Sequence, residues 1–144
     1  MKNRKKLNFF TPSRDNNLES ILINAGISAG FPSPAGDFKQ ERISLDEELI
    51  KNKEATFFAR VSGESMINAG LEDGDLIVID RSIEPSNNKI AVCFIEGEFT
   101  VKRIIVKKDK VWLKPENSSY KAIEVKDNDQ LVIWGIVTNV IKKL

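Results

Sequence analysis

From Thr56 to its C-terminus the chain is a succession of short runs rich in β-branched and aromatic residues, separated by turn-forming stretches. Such runs predict strands, because these side chains favour a pleated, half-buried surface and the turn residues between them end each strand. We therefore expect a mostly β fold of curved antiparallel sheets. The predicted strands cover residues 56–61, 76–80, 89–95, 98–106, 111–114, 122–125 and 131–141.

The last of these runs is long for a strand and carries Gly135 near its middle. A glycine inside a strand often marks a bulge or a sharp bend. We expect such a bend at Gly135, and we expect it to let the strand cross from one sheet to another.

One short helix is predicted ahead of the strands. Ser44 and Glu47 form a capping box, in which the serine side chain and the glutamate side chain satisfy backbone N–H groups at a helix start. The helix should extend to about Lys51, with Leu45, Leu49 and Ile50 on its apolar side.

Residues 1–29 are predicted to form a flexible N-terminal arm without a core of its own, and residues 30–144 the folded domain. Within the arm, residues 15–17 are suited to cap a short helix over residues 18–25, with Gly26 ending it. Residues 28–37 are rich in proline and small side chains, which predicts an extended, exposed loop that can enter an active site as a strand.

The composition removes several classes of function. The 144 residues include no histidine, which excludes a Ser-His-Asp triad, and the single Cys93 leaves too few ligands for a zinc site. We therefore expect no cofactor, and we expect Cys93 to be a buried, inert thiol. A net charge of +1 argues against a phosphate-binding surface. No stretch has the pattern of a membrane span or a signal peptide, so a cytoplasmic location is expected.

The candidate nucleophile is Ser65, in a stretch that leads from a predicted strand through Gly63 into a predicted helical turn. A helix start leaves backbone N–H groups unpaired, and the N–H groups of Glu64 and Ser65 are candidates to hold the oxyanion of an acyl-transfer intermediate. The alternative is ordinary turn chemistry, in which serine and glycine merely connect two strands.

A serine nucleophile needs a base, and without histidine the candidate is a lysine kept neutral by burial. Lys102 lies in the predicted strand 98–106, on the same face as Thr100 and Ile104. The alternative is a lysine whose stem crosses the surface and whose amine stays in water. Periodicity does not decide between them, because Arg103 alternates with apolar neighbours equally well.

Three separated motifs carry a resemblance to the self-cleaving Ser/Lys peptidase domains of the LexA type, and within them to the UmuD-like SOS mutagenesis proteins. They are Ser-Gly-Glu-Ser-Met at residues 62–66, Gly-Glu-Phe-Thr-Val-Lys at residues 97–102, and Ala-Gly-Phe-Pro-Ser-Pro-Ala at residues 29–35. The resemblance implies that Ser65 is the nucleophile, Lys102 the general base, and Ala29–Gly30 the bond that is cut. Ala29 stands where the UmuD-like relative has cysteine, and Ala-Gly is a bond that other members of the family cleave.

The resemblance also implies a function and partners. UmuD-like proteins form homodimers, are cleaved when a RecA-type filament on single-stranded DNA stimulates them, and then join a UmuC-type Y-family DNA polymerase for translesion synthesis. Direct sequence-specific DNA binding and a membrane are not expected. Three alternatives stay open: a binding module with an inactive Ser/Lys pair, the peptidase part of a phage-type repressor, and a type I signal peptidase. The last expects a membrane anchor.

Overall fold

The computed structural model describes residues 8–12, 19–23, 30, 40–126 and 131–144. They fall into two compact units, one made of the described parts of 1–12 and 52–144, the other of the described parts of 13–51. The first unit contains one eight-stranded antiparallel sheet, and the second a two-stranded antiparallel pair followed by a short helix. The expected mostly β fold is confirmed. The predicted boundary between an arm of residues 1–29 and a domain of residues 30–144 stays a prediction.

The strands of the large sheet follow the order β1-β4-β5-β10-β6-β7-β8-β9, and β2 pairs with β3 in the second unit. All the strands predicted after Thr56 are present, with ends that differ from the expected ones by a few residues at most. The strands are β1 (Asn8–Phe10), β2 (Glu19–Ile23), β3 (Gln40–Ser44), β4 (Thr56–Arg60), β5 (Leu76–Asp80), β6 (Ile90–Ile95), β7 (Glu98–Lys107), β8 (Lys110–Lys114), β9 (Ile123–Glu124) and β10 (Leu131–Ile141).

Two tight hairpins place β6, β7 and β8 side by side. Glu96 and Gly97 join β6 to β7 with φ angles of 49° and 82°, and Lys108 and Asp109 join β7 to β8 with 48° and 62°. Positive φ at both central residues is typical of type I′ turns, whose twist matches that of the flanking strands. Together the two turns fix β7 between β6 and β8.

Helix α1 (Leu45–Leu49) begins at the predicted capping box, where the N–H of Glu47 donates to the Ser44 hydroxyl oxygen at 3.5 Å. The helix ends at Leu49, two residues earlier than expected. Its predicted apolar side is only partly correct, because Ile50 is buried whereas Leu45 is 62% exposed. Within the described ranges, no helix is long and apolar enough to cross a membrane.

The helix predicted over residues 18–25 is wrong, since Glu19–Ile23 is strand β2. Its five residues pair antiparallel with β3, from Glu19 opposite Ser44 to Ile23 opposite Gln40. A short helical segment is marginal by itself in water, so a partner strand outweighs the capping signal at residues 15–17. Those capping residues, and Gly26, lie outside the described residues.

Strand β1 places three residues of the predicted arm in the large sheet. Its three residues pair antiparallel with β4, with Phe9 opposite Ala59. The ring of Phe9 lies 4.8 Å from that of Phe99 and 4.8 Å from that of Trp134, measured between centroids. Aromatic pairs at this spacing add to the free energy of folding beyond the area that they bury. Residues 8–10 are therefore part of the sheet and of its apolar core.

Strand β10 carries the expected bulge at Gly135, but it stays within one sheet. Its first half pairs with β6 and its second half with β5, and the register shifts between Ile133 and Gly135 and again between Val137 and Asn139. The predicted crossing between two sheets is therefore wrong: the bulges let one long strand serve two neighbours in a curved sheet. A Cβ atom at Gly135 would lie 2.5 Å from Cγ2 of Ile79, so the strands approach closely because this residue has no side chain.

We predict that Gly135→Ala lowers the free energy of unfolding by about 1–3 kcal/mol, because the added methyl overpacks the contact with Ile79. Urea denaturation would measure it. The matched comparison is Gly135→Ala in an Ile79→Ala background, where the methyl has room. Equal losses in the two backgrounds would contradict the close-approach explanation.

We further predict that Phe9→Ala lowers the free energy of unfolding by about 1–3 kcal/mol, less than full burial of a phenylalanine would imply. Phe10 is the control, since it is 50% exposed and Phe10→Ala should change little. Tryptophan fluorescence, to which Trp134 contributes from its contact with Phe9, reports the transition. Equal effects of the two substitutions would show that β1 does not dock through Phe9.

Candidate active site

Ser65 lies in a turn that connects β4 to β5 and is fixed at both ends by the backbone. Val61, after β4, exchanges hydrogen bonds with the far side of this connection: its N–H donates to the Asp75 carbonyl and its carbonyl accepts from the Gly74 N–H, both at 2.8 Å. Gly63 has a φ of 93°, a left-handed conformation that favours glycine, and its N–H donates to Asp73 Oδ1 at 2.8 Å. The turn is therefore closed on itself.

The chain after Ser65 forms the short helical turn that the sequence predicts. A 3-10 helix covers Ile67–Ala69, and the N–H of Ile67 donates to the Glu64 carbonyl at 3.2 Å. Met66 is buried to 2% exposure in the larger core cluster, and this burial anchors the turn to the core. Ser65 itself is half-buried, so its hydroxyl is both held and accessible.

Lys102 lies on β7 and reaches Ser65 across 37 positions of sequence. Its Nζ is 3.0 Å from Ser65 Oγ, 2.7 Å from Thr100 Oγ1 and 3.1 Å from the Val101 carbonyl oxygen. Of the two possibilities left open by periodicity, the structure gives the buried one: Lys102 is 9% exposed and its amine does not extend into water. The turn and the strand thus bring the predicted nucleophile and the predicted base into contact.

Burial lowers the pKa of the Lys102 amine below its usual value, and Cys93 on the neighbouring strand acts in the opposite direction. The cause is desolvation, which penalises the charged ammonium form more than the neutral amine. No carboxylate has an ion pair with Lys102 among the described residues, so no acidic partner restores the charged form there.

The three neighbours of Nζ suit a neutral lysine. A neutral amine has two N–H donors and one lone pair, whereas an ammonium has three donors and no lone pair. Thr100 Oγ1 and the Val101 carbonyl can take the two N–H groups, which leaves the lone pair for the proton of Ser65. The arrangement can therefore accept a proton from the serine, as a general base does.

A cavity of about 130 Å³ lies beside Ser65. Its lining includes the serine turn on one side and Phe99, Thr100 and Val101 of β7 on the other. Within the described chain, no group accepts a hydrogen bond from the N–H of Glu64 or Ser65. These are the two N–H groups that the sequence suggests for an oxyanion, and that role stays a prediction.

The structure describes only some of the remaining predicted site residues. Ala29 lies outside the described residues and Gly30 is exposed, so the Ala29–Gly30 bond stays a prediction. Cys93 is buried as expected, and burial raises the pKa of its thiol to about 11, which keeps it protonated at neutral pH.

Two features of the site were not predicted from the sequence. Thr100 was recognised only as sharing a face with Lys102, and its hydrogen bond to Nζ depends on the rotamers of both side chains. The loop after β8 was not singled out at all, yet Asn117 Nδ2 donates to the Glu64 carbonyl at 2.7 Å. No local pattern could have indicated a contact between residues 53 positions apart.

The chain is similar to known proteins over most of its length. Residues 21–138 match the family model described as peptidase S24-like. The chain is 38% identical to protein MucA of Escherichia coli over 136 residues, which is 93% of this chain and 92% of MucA. It is 41% identical to protein SamA of Salmonella typhimurium, over 85% of this chain and 84% of SamA. LexA repressor 1 of Geobacter sulfurreducens is 32% identical over 87% of this chain and 62% of the repressor.

We predict that Thr100→Val lowers the pKa of Lys102 further, because the ammonium loses an acceptor while the size of the side chain is kept. An NMR titration of the lysine Nζ would measure this. Thr138→Val is the matched control, since the Thr138 hydroxyl donates to the Val78 carbonyl and has no bond to the lysine. An unchanged or raised pKa in Thr100→Val would contradict the role of Thr100 as acceptor.

Proposed function

Because the chain belongs to the peptidase S24-like family and, within it, to the UmuD-type SOS mutagenesis proteins, we propose that it cuts its own backbone between Ala29 and Gly30. In this proposal Ser65 is the nucleophile and Lys102 the general base. The observation that carries it is the 3.0 Å contact between Lys102 Nζ and Ser65 Oγ, made by an amine that burial holds toward its neutral form.

The proposed reaction has two halves. Ser65 Oγ bonds to the carbonyl carbon of Ala29 while Lys102 takes the hydroxyl proton, and the N–H groups of Glu64 and Ser65 hold the oxyanion. The C–N bond then breaks, the Gly30 nitrogen takes the proton from Lys102 and leaves as a new N-terminus, and an ester joins Ala29 to Ser65. Water then gives a proton to Lys102 and attacks the ester carbonyl; the bond from that carbon to Ser65 Oγ breaks, Oγ takes the proton back from Lys102, and Ala29 is released as a carboxylate.

We propose that residues 30–144 then serve as the accessory subunit of an error-prone translesion polymerase of the UmuC type. A homodimer and a RecA-type filament on single-stranded DNA as co-protease belong to the same proposal. The exposed apolar side chains of β10 support association: Val132, Val140 and Ile141 are 40–53% exposed. The filament's role would be to favour the conformation in which the cleavage-site loop occupies the cavity, without supplying a catalytic group.

The alternative functions lose support for specific reasons. Burying a lysine amine beside a serine hydroxyl costs free energy. An inactive binding module would gain nothing in return for that cost. The repressor alternative has less support, because LexA repressor 1 is 32% identical to this chain whereas MucA and SamA are 38% and 41% identical. The signal peptidase alternative rested on Ser/Lys chemistry alone. The match to the peptidase S24-like family accounts for the same pair of residues without it.

We predict that Ser65→Ala and Lys102→Met each abolish self-cleavage and leave the fold intact. In the unmodified protein the cleavage rate should rise with pH over roughly pH 7–10 and then level off, because only neutral lysine accepts the proton. Intact mass after incubation across a pH series would measure both, with fragments meeting at Ala29–Gly30. Since the two residues act as one unit, the double variant should be hardly slower than either single one.

Two outcomes would contradict this proposal. Cleavage that persists in Ser65→Ala would remove the nucleophile, and a flat pH profile in the unmodified protein would remove lysine as base. Lys114→Met is a matched control for loss of a lysine, since Lys114 is exposed on β8 and should be dispensable for cleavage.

A further inference from the structure

The loop that follows β8 packs against the turn that carries Ser65. Three hydrogen bonds join them: Asn117 Nδ2 donates to the Glu64 carbonyl at 2.7 Å, the N–H of Asn68 donates to the Glu116 carbonyl at 2.7 Å, and the N–H of Glu116 contacts Sδ of Met66 at 3.3 Å. The contacts lie on both sides of Ser65 in sequence. The serine turn is thus held by a second loop as well as by its own backbone.

This loop is also tied to the strand that carries the lysine. Glu116 accepts from Arg103 Nε at 2.5 Å, and Arg103 follows Lys102 directly on β7. Asn117 is held in its own turn, because its Oδ1 accepts from the N–H of Ser119 at 3.0 Å. The amide of Asn117 therefore has a fixed direction, and movement of the serine turn relative to β7 would break several bonds at once.

The contact with the Glu64 carbonyl matters because of peptide geometry. The Glu64 carbonyl and the Ser65 N–H belong to the same planar trans peptide, so they point in opposite directions. The Ile67 N–H holds this carbonyl at 3.2 Å, within the turn itself, and Asn117 adds a shorter bond at 2.7 Å from outside the turn. Fixing the carbonyl oxygen toward Asn117 fixes the Ser65 N–H on the opposite side.

We infer that Asn117 is a positioning residue for self-cleavage: its side-chain amide orients the Glu64–Ser65 peptide so that the Ser65 N–H is preorganised to receive the oxyanion. This inference rests on the proposed function. Preorganised donors stabilise a developing charge because they need not reorient during the reaction. Asn117 does not touch the reacting atoms and acts only through the peptide that it holds.

The test uses two substitutions in the full chain, Asn117→Ser and Asn117→Asp. Both keep an oxygen that can accept the Ser119 N–H in the turn, and both lose the N–H donor to Glu64. We expect the plateau rate of self-cleavage at alkaline pH to fall at least about tenfold, and by no more than the roughly 10²–10³-fold that loss of an oxyanion donor itself costs. Asn139→Ser, on the exposed end of β10, is the control and should cleave at the unmodified rate.

The pH profile separates positioning from a general loss of structure. In Asn117→Ser the pH of half-maximal rate should stay where it is in the unmodified protein, because Ser65, Thr100 and Val101 still surround the Lys102 amine. A structural collapse would expose Lys102 and move this midpoint toward higher pH. An unchanged plateau, or a loss explained entirely by a shifted midpoint, would overturn the inference.

The outcome also distinguishes this inference from the proposal beneath it. If the unmodified chain does not cut itself at any pH, the proposed function fails and the role of Asn117 fails with it. If the unmodified chain cuts itself and both Asn117 variants do so at the same plateau rate, the proposed function stands and only the positioning role is rejected.

Discussion

The burial of one lysine amine is the constraint on which the rest of the structure depends. An ammonium group removed from water without a carboxylate is unstable, so Lys102 needs hydrogen-bond partners that suit its neutral form. Thr100 and the Val101 carbonyl come from its own strand, but Ser65 has to be delivered from elsewhere. Although β10 and β6 lie between β5 and β7 in the sheet, the β4–β5 connection and β7 pack into one core cluster, and this packing brings Ser65 to Lys102.

The sequence was informative where a short-range pattern decides the structure. The strands after Thr56 and the capping box at Ser44 follow from local preferences and were predicted with nearly correct ends. The absence of histidine was equally direct, because it left lysine as the remaining base for a serine. The pairing of Ser65 with Lys102 itself came from the resemblance, since alternation along β7 fits Arg103 as well.

The sequence was uninformative where a residue far away in the chain determines the local structure. Residues 19–23 are compatible with a helix or a strand, and β3 determines the outcome by pairing with them. Strand β1 has only three residues, too few for a pattern, and its place is set by an aromatic cluster drawn from β7 and β10. Asn117 belongs to the same class, because a side chain that holds a carbonyl 53 positions away leaves no local trace.

Strands β1 and β2 both precede the proposed cut, whereas their partners β4 and β3 both follow it. Scission after residue 29 would therefore yield a nicked protein whose two pieces are still held by strand pairing, three residues at one place and five at the other. Hydrolysis and departure of the small piece would be separate events, each with its own half-life. The nicked complex is a distinct species, chemically cleaved yet still covered along β4. The edge of β4 would become free only when the small piece leaves, a step that strand pairing opposes and hydrolysis alone does not complete.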